Sequence, residues 1–347
     1  MHPLLERAQT EGTPLKSEDT ALFLWQGENP PLLLCDLFDW YDNPQILDEI
    51  EPGLWGLEVH LPADAYVEYA FWYEGDEQHT ADPFNATRLN NGFNKYNHWF
   101  YMPNAPKNPL VTPQRDVRHG KVTRHEVETR EMAVGQSRSV YLYQPPTNEP
   151  VPLLVVYDGP DYLRRAKLVT MVENLIAQQR IRPIALAMPQ NGRQARLIEY
   201  GCSDLTLGFL VDAVIPLAQE HLNLLDVATN PGAYGILGAS MGGLMALYTG
   251  LRMPHIFGKV ISQSGAFRIE QHEFVTTDLV RFGPRLPLDI WLDVGLFESL
   301  LDCNREMRDL LVKRGYQPHY REYPGGHNYT AWRNDVWRGL ESVFGIA

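Results

Sequence analysis

The chain has 347 residues, of which 44% are hydrophobic, and 43 acidic against 30 basic residues give it a net charge of −13. That length favours two domains with cores of their own, and the acidic balance argues against binding to nucleic acid or to an anionic membrane surface. The three cysteines, Cys35, Cys202 and Cys303, are too few and too widely spaced for a disulfide framework or a zinc site.

The first 18 residues are polar and contain no apolar core of signal-peptide length. No run elsewhere in the sequence approaches the length of a transmembrane span. We therefore expect a cytoplasmic protein with no membrane partner.

Residues 1–105 have the composition of a small all-β domain, and five of the eight tryptophans lie there. Short strand-like runs are separated by turn residues at 21–25, 31–37, 53–60 and 66–73. The last of these runs alternates, with Val67, Tyr69 and Phe71 on one side. Short strands at regular intervals predict an antiparallel β-sandwich of the immunoglobulin-like type.

The run PNAPKNPLVTP at 103–113 predicts a linker, which we place at 106–113, before a second domain of 114–347. In that domain, apolar strands alternate with helices. The predicted strands occupy 151–157, 183–188, 233–237, 260–263, 289–294 and 318–323, and the predicted helices 163–179, 207–221, 244–248 and 301–314. This alternation predicts an α/β fold with a doubly wound, mostly parallel sheet covered on both faces.

A nucleophile elbow is indicated at 238–242, where the sequence GASMG matches G-x-S-x-G between a predicted strand and a predicted helix. The turn at Ser240 must be so sharp that only small neighbours fit. Those small neighbours are Gly238, Ala239, Gly242 and Gly243. Such a turn exposes the serine hydroxyl above the sheet edge and points a helix N-terminus at whatever binds there.

A serine hydroxyl needs a base, and the sequence offers His327 in a loop after the last predicted strand. The orienting acid should lie between the serine and the histidine in the chain. Glu298, just past a strand end, is the favoured candidate, with Asp293 and then Asp302 behind it.

The oxyanion of such a reaction needs two backbone donors, and the N–H of Met241, directly after the nucleophile, is the first. The second should come from the turn after an early strand, DGPD at 158–161, where Pro160 has no N–H to donate. The second donor is therefore Gly159, whose backbone can come close to a ligand, or Asp161.

An R-x-x-E-Y cluster, formed by Arg196, Glu199 and Tyr200, follows the strand predicted at 183–188. That position is the ligand side of a parallel sheet. Two interpretations stay open: an ion pair that supports the loop, or contact with the substrate.

Together, the motifs GASMGGLMALY, SQSGAF, the R-x-x-E-Y loop, DVGLFE and GGHNYTAW resemble the putative esterase family of α/β hydrolases. That family includes enterochelin esterases, feruloyl and acetyl-xylan esterases and S-formylglutathione hydrolase, and the resemblance covers residues 114–347. It implies a serine esterase with Ser240 as nucleophile, His327 as base and Glu298 at the position of the acid. The segment GLWGLEVHLPADAYVEYAFWYEG resembles early-set sandwich modules, and the two-domain layout resembles the enterochelin esterase branch.

The sequence therefore predicts a serine carboxylic-ester hydrolase without a metal or organic cofactor, acting on a small-molecule ester such as a siderophore lactone or an acylated or feruloylated sugar. Two alternatives stay open, a non-catalytic glycan- or partner-binding protein on a hydrolase scaffold and an acyltransferase with the same triad. A homo-oligomer is compatible with the sequence. An acidic catechol substrate would require nearby cations, and the arginines on suitable loops are Arg164, Arg165, Arg193, Arg196 and Arg268.

Overall fold

The computed structural model describes residues 2–346, which form two compact units. The N-terminal unit contains the chain up to Lys107 together with two short later segments, Gly295–Ser299 and Tyr323–Ala331. The α/β unit contains Asn108–Val294, Leu300–Glu322 and the chain from Trp332 onward. The boundaries drawn from the sequence, 1–105, 106–113 and 114–347, stay a prediction.

The N-terminal unit begins with helix α1, Pro3–Glu11, and continues as two four-stranded antiparallel sheets. Its strands are β1 Leu15–Lys16, β2 Thr20–Gln26, β3 Leu32–Cys35, β4 Asp48–Glu51, β5 Leu54–His60, β6 Tyr66–Trp72, β7 Leu89–Asn90 and β8 Tyr96–Tyr101. The two sheets have the orders β1-β2-β5-β4 and β3-β6-β8-β7. The predicted strands at 21–25, 31–37, 53–60 and 66–73 are therefore all present.

Both sheets contribute to one core, in which Phe23 and Val59 of the first sheet pack with Leu33 and Val67 of the second. The alternation in β6 suggested a strand with one exposed face, but Tyr66–Phe71 is buried on both faces. Glu68, on the second face, is only 2% exposed, and its carboxylate accepts a hydrogen bond from the Asn97 amide at 2.9 Å. The second face of β6 can therefore be buried because its polar residue has a hydrogen-bond partner, and a pattern of apolar residues in the sequence does not predict such a partner.

The α/β unit is built on one eight-stranded sheet. Its strands and those of a small hairpin are β9 Lys121–Glu128, β10 Ser137–Gln144, β11 Leu153–Val156, β12 Ala185–Pro189, β13 Tyr234–Ala239, β14 Phe257–Gln263, β15 Arg268–Ile269, β16 His272–Glu273, β17 Asp289–Gly295 and β18 His319–Tyr323. The sheet order is β18-β17-β14-β13-β11-β12-β10-β9, and the hairpin is β15-β16. The strands from β12 through β11, β13 and β14 to β17 are parallel, whereas β9 and β10 are antiparallel.

Helices connect these strands: α2 Gly159–Arg164, α3 Leu168–Ala177, α4 Arg196–Tyr200, α5 Asp204–Phe209, α6 Ile215–His221, α7 Met241–Arg252, α8 Val275–Phe282, α9 Leu301–Lys313 and α10 Tyr329–Phe344. Strands β11, β12 and β13 are buried along their whole length, as expected of a sheet covered on both faces. The predicted α/β fold, with a mostly parallel sheet preceded by a small all-β region, is confirmed.

Two predicted helices differ in detail from the structure. The helix predicted at 163–179 is two helices, because Lys167 adopts a left-handed conformation, φ 55°, between α2 and α3. The helix predicted at 207–221 begins earlier, at Asp204, because the Ser203 side chain caps it by accepting the Thr206 N–H. A π-helical turn, Leu210–Val214, then joins α5 to α6.

Within residues 2–346, no single helix has both the length and the apolar character needed to cross a membrane. One strongly bent pair, Arg193–Tyr200 with Asp204–His221, meets those criteria when its two parts are taken together.

Candidate active site

Ser240 lies at a sharp turn between the end of β13 and the start of α7, with φ 60° and ψ −125°. A non-glycine residue in such a conformation costs about 1–3 kcal/mol and persists only where its surroundings hold it. Here the Ser240 N–H donates to the Gln263 carbonyl at 2.9 Å, and the Ser240 carbonyl accepts from the N–H groups of Leu244 at 3.0 Å and Ala266 at 3.1 Å. Three backbone hydrogen bonds thus hold the serine in its strained geometry.

The glycines around the serine are required by close backbone contacts. A Cβ at Gly238 would lie 2.9 Å from the Gly242 Cα and would overlap its carbonyl group. At Gly243 a Cβ would come within 2.8 Å of the Gln263 carbonyl oxygen. Neither partner is a side chain that could move aside, so the small residues of the motif are needed for the turn to close.

We predict that Gly238→Ala lowers the free energy of unfolding by about 1–3 kcal/mol or more, because the added methyl group overlaps backbone that cannot relax locally. The measurement is urea denaturation followed by circular dichroism. Gly208→Ala in α5 is the matched control, since its Cβ would meet only the flexible side chain of Met132, with Sδ at 3.5 Å and Cγ at 3.8 Å. Alanine is the better helix former, so this control should stabilise the protein by up to about 1 kcal/mol. Equal denaturation midpoints for the two variants would contradict the argument.

His327 and Glu298 form a hydrogen-bonded pair in the N-terminal unit, with 2.7 Å between Nδ1 and Oε2. The other oxygen of Glu298, Oε1, accepts the Gly295 N–H at 2.9 Å. The Glu298 side chain is 1% exposed, whereas the His327 side chain is 38% exposed. A buried carboxylate at Nδ1 favours the tautomer with its proton on Nδ1, and Nε2 is then the nitrogen that can accept a proton.

The loops that carry this pair are joined through their backbones. The Leu296 N–H donates to the Tyr323 carbonyl at 2.8 Å, and the Phe297 N–H donates to the Gly325 carbonyl at 3.1 Å. A Cβ at Gly295 would overlap that same Gly325 carbonyl. The separation of the carboxylate and the imidazole is therefore set by main-chain contacts.

The other acid candidates have different surroundings. Asp293 is fully buried and accepts hydrogen bonds from the Trp291 indole at 2.8 Å and from the Gln263 amide at 3.1 Å. The Asp302 side chain is 79% exposed and faces Arg305 at 3.7 Å. Of the acids considered from the sequence, Glu298 is the one that the structure pairs with His327.

The two expected oxyanion donors stand at helix starts. Met241 is the first residue of α7, so its N–H belongs to the group of amides that have no partner inside the helix. Gly159 is the first residue of α2 and packs so closely on the Met188 backbone that a Cβ would overlap it. The Asp161 N–H already donates to the Asp158 carbonyl at 2.9 Å, which disfavours that alternative. The assignment of Met241 and Gly159 stays a prediction.

Arg196 and Tyr200 both hold Asp158, a residue that the sequence did not single out. The Arg196 guanidinium donates to both Asp158 carboxylate oxygens, at 2.8 and 2.7 Å, and lies over the Tyr200 ring. The Tyr200 hydroxyl accepts the Asp158 N–H at 3.1 Å, and burial raises the pKa of that phenol. Since Asp158 precedes Gly159, these contacts support the loop that carries the second predicted oxyanion donor.

Glu199, the third member of the cluster, pairs with the Arg138 guanidinium at 2.5 Å and accepts the Val134 N–H at 2.9 Å. Both charged members of the cluster therefore form ion pairs, in agreement with the loop-supporting interpretation. Their role in substrate binding stays a prediction.

Three other arginines considered for an acidic substrate also have partners. Arg164 donates to the Tyr141 hydroxyl at 3.0 Å, Arg165 faces Asp161 at 3.5 Å, and Arg268 pairs with Glu306. All three cysteines are free thiols. In the part of the chain that the structure describes, no group of three or more His, Cys, Asp or Glu side chains could hold a metal ion.

The mixed eight-stranded sheet, with a strained serine between a central strand and its helix, defines an α/β hydrolase. The ferric enterobactin esterase of Salmonella typhimurium has the same fold, with a TM-score of 0.78, 21% identity and 95% of each chain covered. The family described as "Putative esterase" matches residues 132–342, and the chain belongs to it. The chain is therefore a member of an esterase family, and the resemblance seen in the motifs is confirmed.

Two relatives are similar in sequence. The iron(III) enterobactin esterase of Dickeya dadantii is 29% identical over 223 residues, which cover 58% of this chain and 51% of the relative. The iron(III) enterobactin esterase of Escherichia coli K12 is 27% identical over 281 residues, covering 78% of this chain and 68% of the relative. The match thus spans about half the length of the Dickeya protein.

Proposed function

We propose that the protein is a serine carboxylic-ester hydrolase that works through an acyl-enzyme. The observation that carries this proposal is the backbone of Ser240, held at φ 60° between a buried strand and the first turn of a helix. Strained residues of this kind concentrate in active sites, where their geometry is part of the mechanism. Membership of an esterase family supports the same chemistry.

In the proposed first step, the Ser240 Oγ attacks the ester carbonyl carbon while its proton passes to Nε2 of His327. The carboxylate of Glu298 stabilises the imidazolium that forms, and the N–H groups of Met241 and Gly159 stabilise the oxyanion. The bond to the alcohol oxygen then breaks, and that oxygen takes the proton from His327. This leaves the acyl group on the serine.

In the second step, water attacks the acyl-enzyme carbonyl and gives its proton to His327. The bond to Ser240 breaks, the serine oxygen takes that proton back from His327, and the carboxylic acid is released. His327, Glu298 and the oxyanion donors act in both steps, so loss of either side chain should slow acylation and deacylation together.

For the substrate, we propose a cyclic lactone siderophore of the catecholate class, such as enterobactin. The support is the activity named for the Dickeya and Escherichia relatives, each matched over more than 200 residues. Hydrolysis at the ester bonds of such a lactone requires no chemistry beyond the acyl-enzyme sequence.

The test is a panel of esters under one set of conditions: enterobactin, a feruloylated sugar, an acetylated sugar and p-nitrophenyl acetate. We expect the highest kcat/KM for enterobactin, because an enzyme selects its substrate through contacts that are stronger in the transition state. A higher kcat/KM for a sugar ester would contradict the proposed substrate but not the proposed mechanism. If no ester is hydrolysed and a fluorophosphonate leaves Ser240 unlabelled, the mechanism itself is wrong.

A further inference from the structure

A buried carboxylate in the N-terminal unit contacts the histidine loop on both sides of His327. Asp36 lies in a short 3₁₀ helix, Asp36–Phe38, directly after β3, and is 2% exposed. We propose that Asp36 is a positioning residue that holds the His327 loop in its working conformation. This inference rests on the proposed role of His327 as the base.

The contacts of Asp36 with the loop are direct. The Asn328 amide, one residue after His327, donates to Oδ2 of Asp36 at 3.0 Å. Gly326, one residue before His327, packs against the same carboxylate, and a Cβ there would overlap Asp36. The loop can therefore approach the carboxylate this closely only with glycine at 326. His327 lies in the sequence between the two residues, Gly326 and Asn328, that contact Asp36.

Asn328 and its neighbours extend the support. While its amide nitrogen donates to Asp36, its amide oxygen accepts the Ala331 N–H at 2.9 Å in the first turn of α10. Upstream, the Pro324 carbonyl accepts the Tyr66 N–H from β6 at 3.0 Å. The loop is thus fixed at Pro324, at Gly326 and at Asn328, and Asp36 supplies two of these three contacts.

Asp36 has the hydrogen-bond pattern of an ionised carboxylate. Besides Asn328, it accepts the Glu68 N–H at 2.8 Å and the Trp40 indole N–H at 3.0 Å. Burial raises the pKa of Asp36, as does the nearby charge of Glu68, whereas the hydrogen bonds from N–H donors favour the charged form. An asparagine at this position would turn one acceptor oxygen into a donor facing other donors, so Asp36→Asn changes the contact with little change in volume.

A purely structural role for Asp36 is the competing explanation, and the chain offers a matched control. Asp82 lies in the same unit, is 4% exposed and also accepts three hydrogen bonds. Its donors, Thr13, Tyr69 and Phe84, all lie before residue 107. Asp82→Asn should therefore destabilise the same unit without acting on the His327 loop.

The experiment compares the full-length Asp36→Asn and Asp82→Asn proteins by steady-state hydrolysis of p-nitrophenyl acetate and by urea denaturation. We expect Asp36→Asn to lower kcat by about 10- to 100-fold, since a displacement of about 1 Å of a reacting group can cost that much. KM should stay within about twofold, because loop position affects the transition state and not substrate binding. Asp82→Asn should keep its kcat while losing comparable stability.

A reciprocal exchange tests the hydrogen bond itself. Asn328→Asp alone places two carboxylates against each other and should lower kcat. The double variant, Asp36→Asn with Asn328→Asp, restores an amide–carboxylate pair and should recover part of the kcat lost in either single variant. If Asp36→Asn does not fold, Asn328→Ala removes the same bond from the loop side, and the same fall in kcat is expected.

Equal kcat for Asp36→Asn and Asp82→Asn, or no recovery in the double variant, would overturn the inference. Failure of the proposed function has a different signature, because a His327→Ala protein that keeps full activity would show that the histidine is not the base.

Discussion

Ser240→Ala should abolish ester hydrolysis, with kcat/KM for p-nitrophenyl acetate falling by about 10⁴-fold or more. The substitution removes one oxygen atom, and with it the atom that would form the acyl-enzyme. The residual rate should come only from the oxyanion donors and substrate binding, which give modest catalysis without a nucleophile. Stability, measured by urea denaturation, should change little, because the three hydrogen bonds that hold residue 240 in place are formed by its backbone.

Ser262→Ala provides the control for this experiment. Ser262 lies in β14, beside β13, and is fully buried, with a hydroxyl that has no hydrogen-bond partner among the described residues. Its loss should leave kcat/KM close to that of the parent protein. A fluorophosphonate probe should label the parent and Ser262→Ala but not Ser240→Ala. Hydrolysis that persists in Ser240→Ala would exclude the serine mechanism and favour a different nucleophile.

The nucleophile elbow could be predicted from the sequence because its constraints are local. The residues that must be small, Gly238 and Gly243, lie within three positions of Ser240, and Gly238 contacts the backbone of Gly242 within the same turn. A steric requirement of this kind produces a short and readable pattern. Glu298 could be proposed for a similar reason, since it follows a strand whose apolar residues mark its end.

The support of the His327 loop could not be predicted in this way. Asp36 and Asn328 are 292 positions apart, and nothing in the sequence around Asp36 indicates a partner in the last 20 residues. Segments 295–299 and 323–331 likewise belong to the N-terminal unit, although they lie far along the chain from residues 1–107, which form the rest of it. Such contacts depend on tertiary packing, which a pattern of adjacent residues does not encode.

Two features that the sequence analysis missed have weak local signals. Strand β9, Lys121–Glu128, is rich in charged residues and has no buried side chain, so its hydrophobic pattern is faint. It forms a strand because its backbone pairs with β10 over eight positions. Lys167 interrupts a predicted helix by adopting a left-handed conformation, which is uncommon for lysine. No glycine next to it in the sequence indicates such a break. Tertiary structure overrides local preference at both places.

His327→Ala should lower kcat by about 10⁴- to 10⁶-fold, close to the loss in Ser240→Ala, because the hydroxyl and the imidazole act as one unit. The decisive measurement is the double variant, Ser240→Ala with His327→Ala, whose kcat should be no lower than that of the worse single variant. His319→Ala is the control, since that histidine is exposed at the start of β18 and should be dispensable.

Two further results would separate the base from a structural histidine. The His327 side chain is 38% exposed, so added imidazole can reach the space left by the substitution and should restore part of the activity of His327→Ala. Glu298→Gln should lower kcat less than His327→Ala does, by about 10³- to 10⁴-fold, because an amide facing Nδ1 favours the wrong imidazole tautomer without removing the ring. If the kcat losses of the two single variants multiply in the double variant, and imidazole does not restore activity to His327→Ala, then His327 acts independently of Ser240. Another group would then have to accept the proton of the Ser240 hydroxyl.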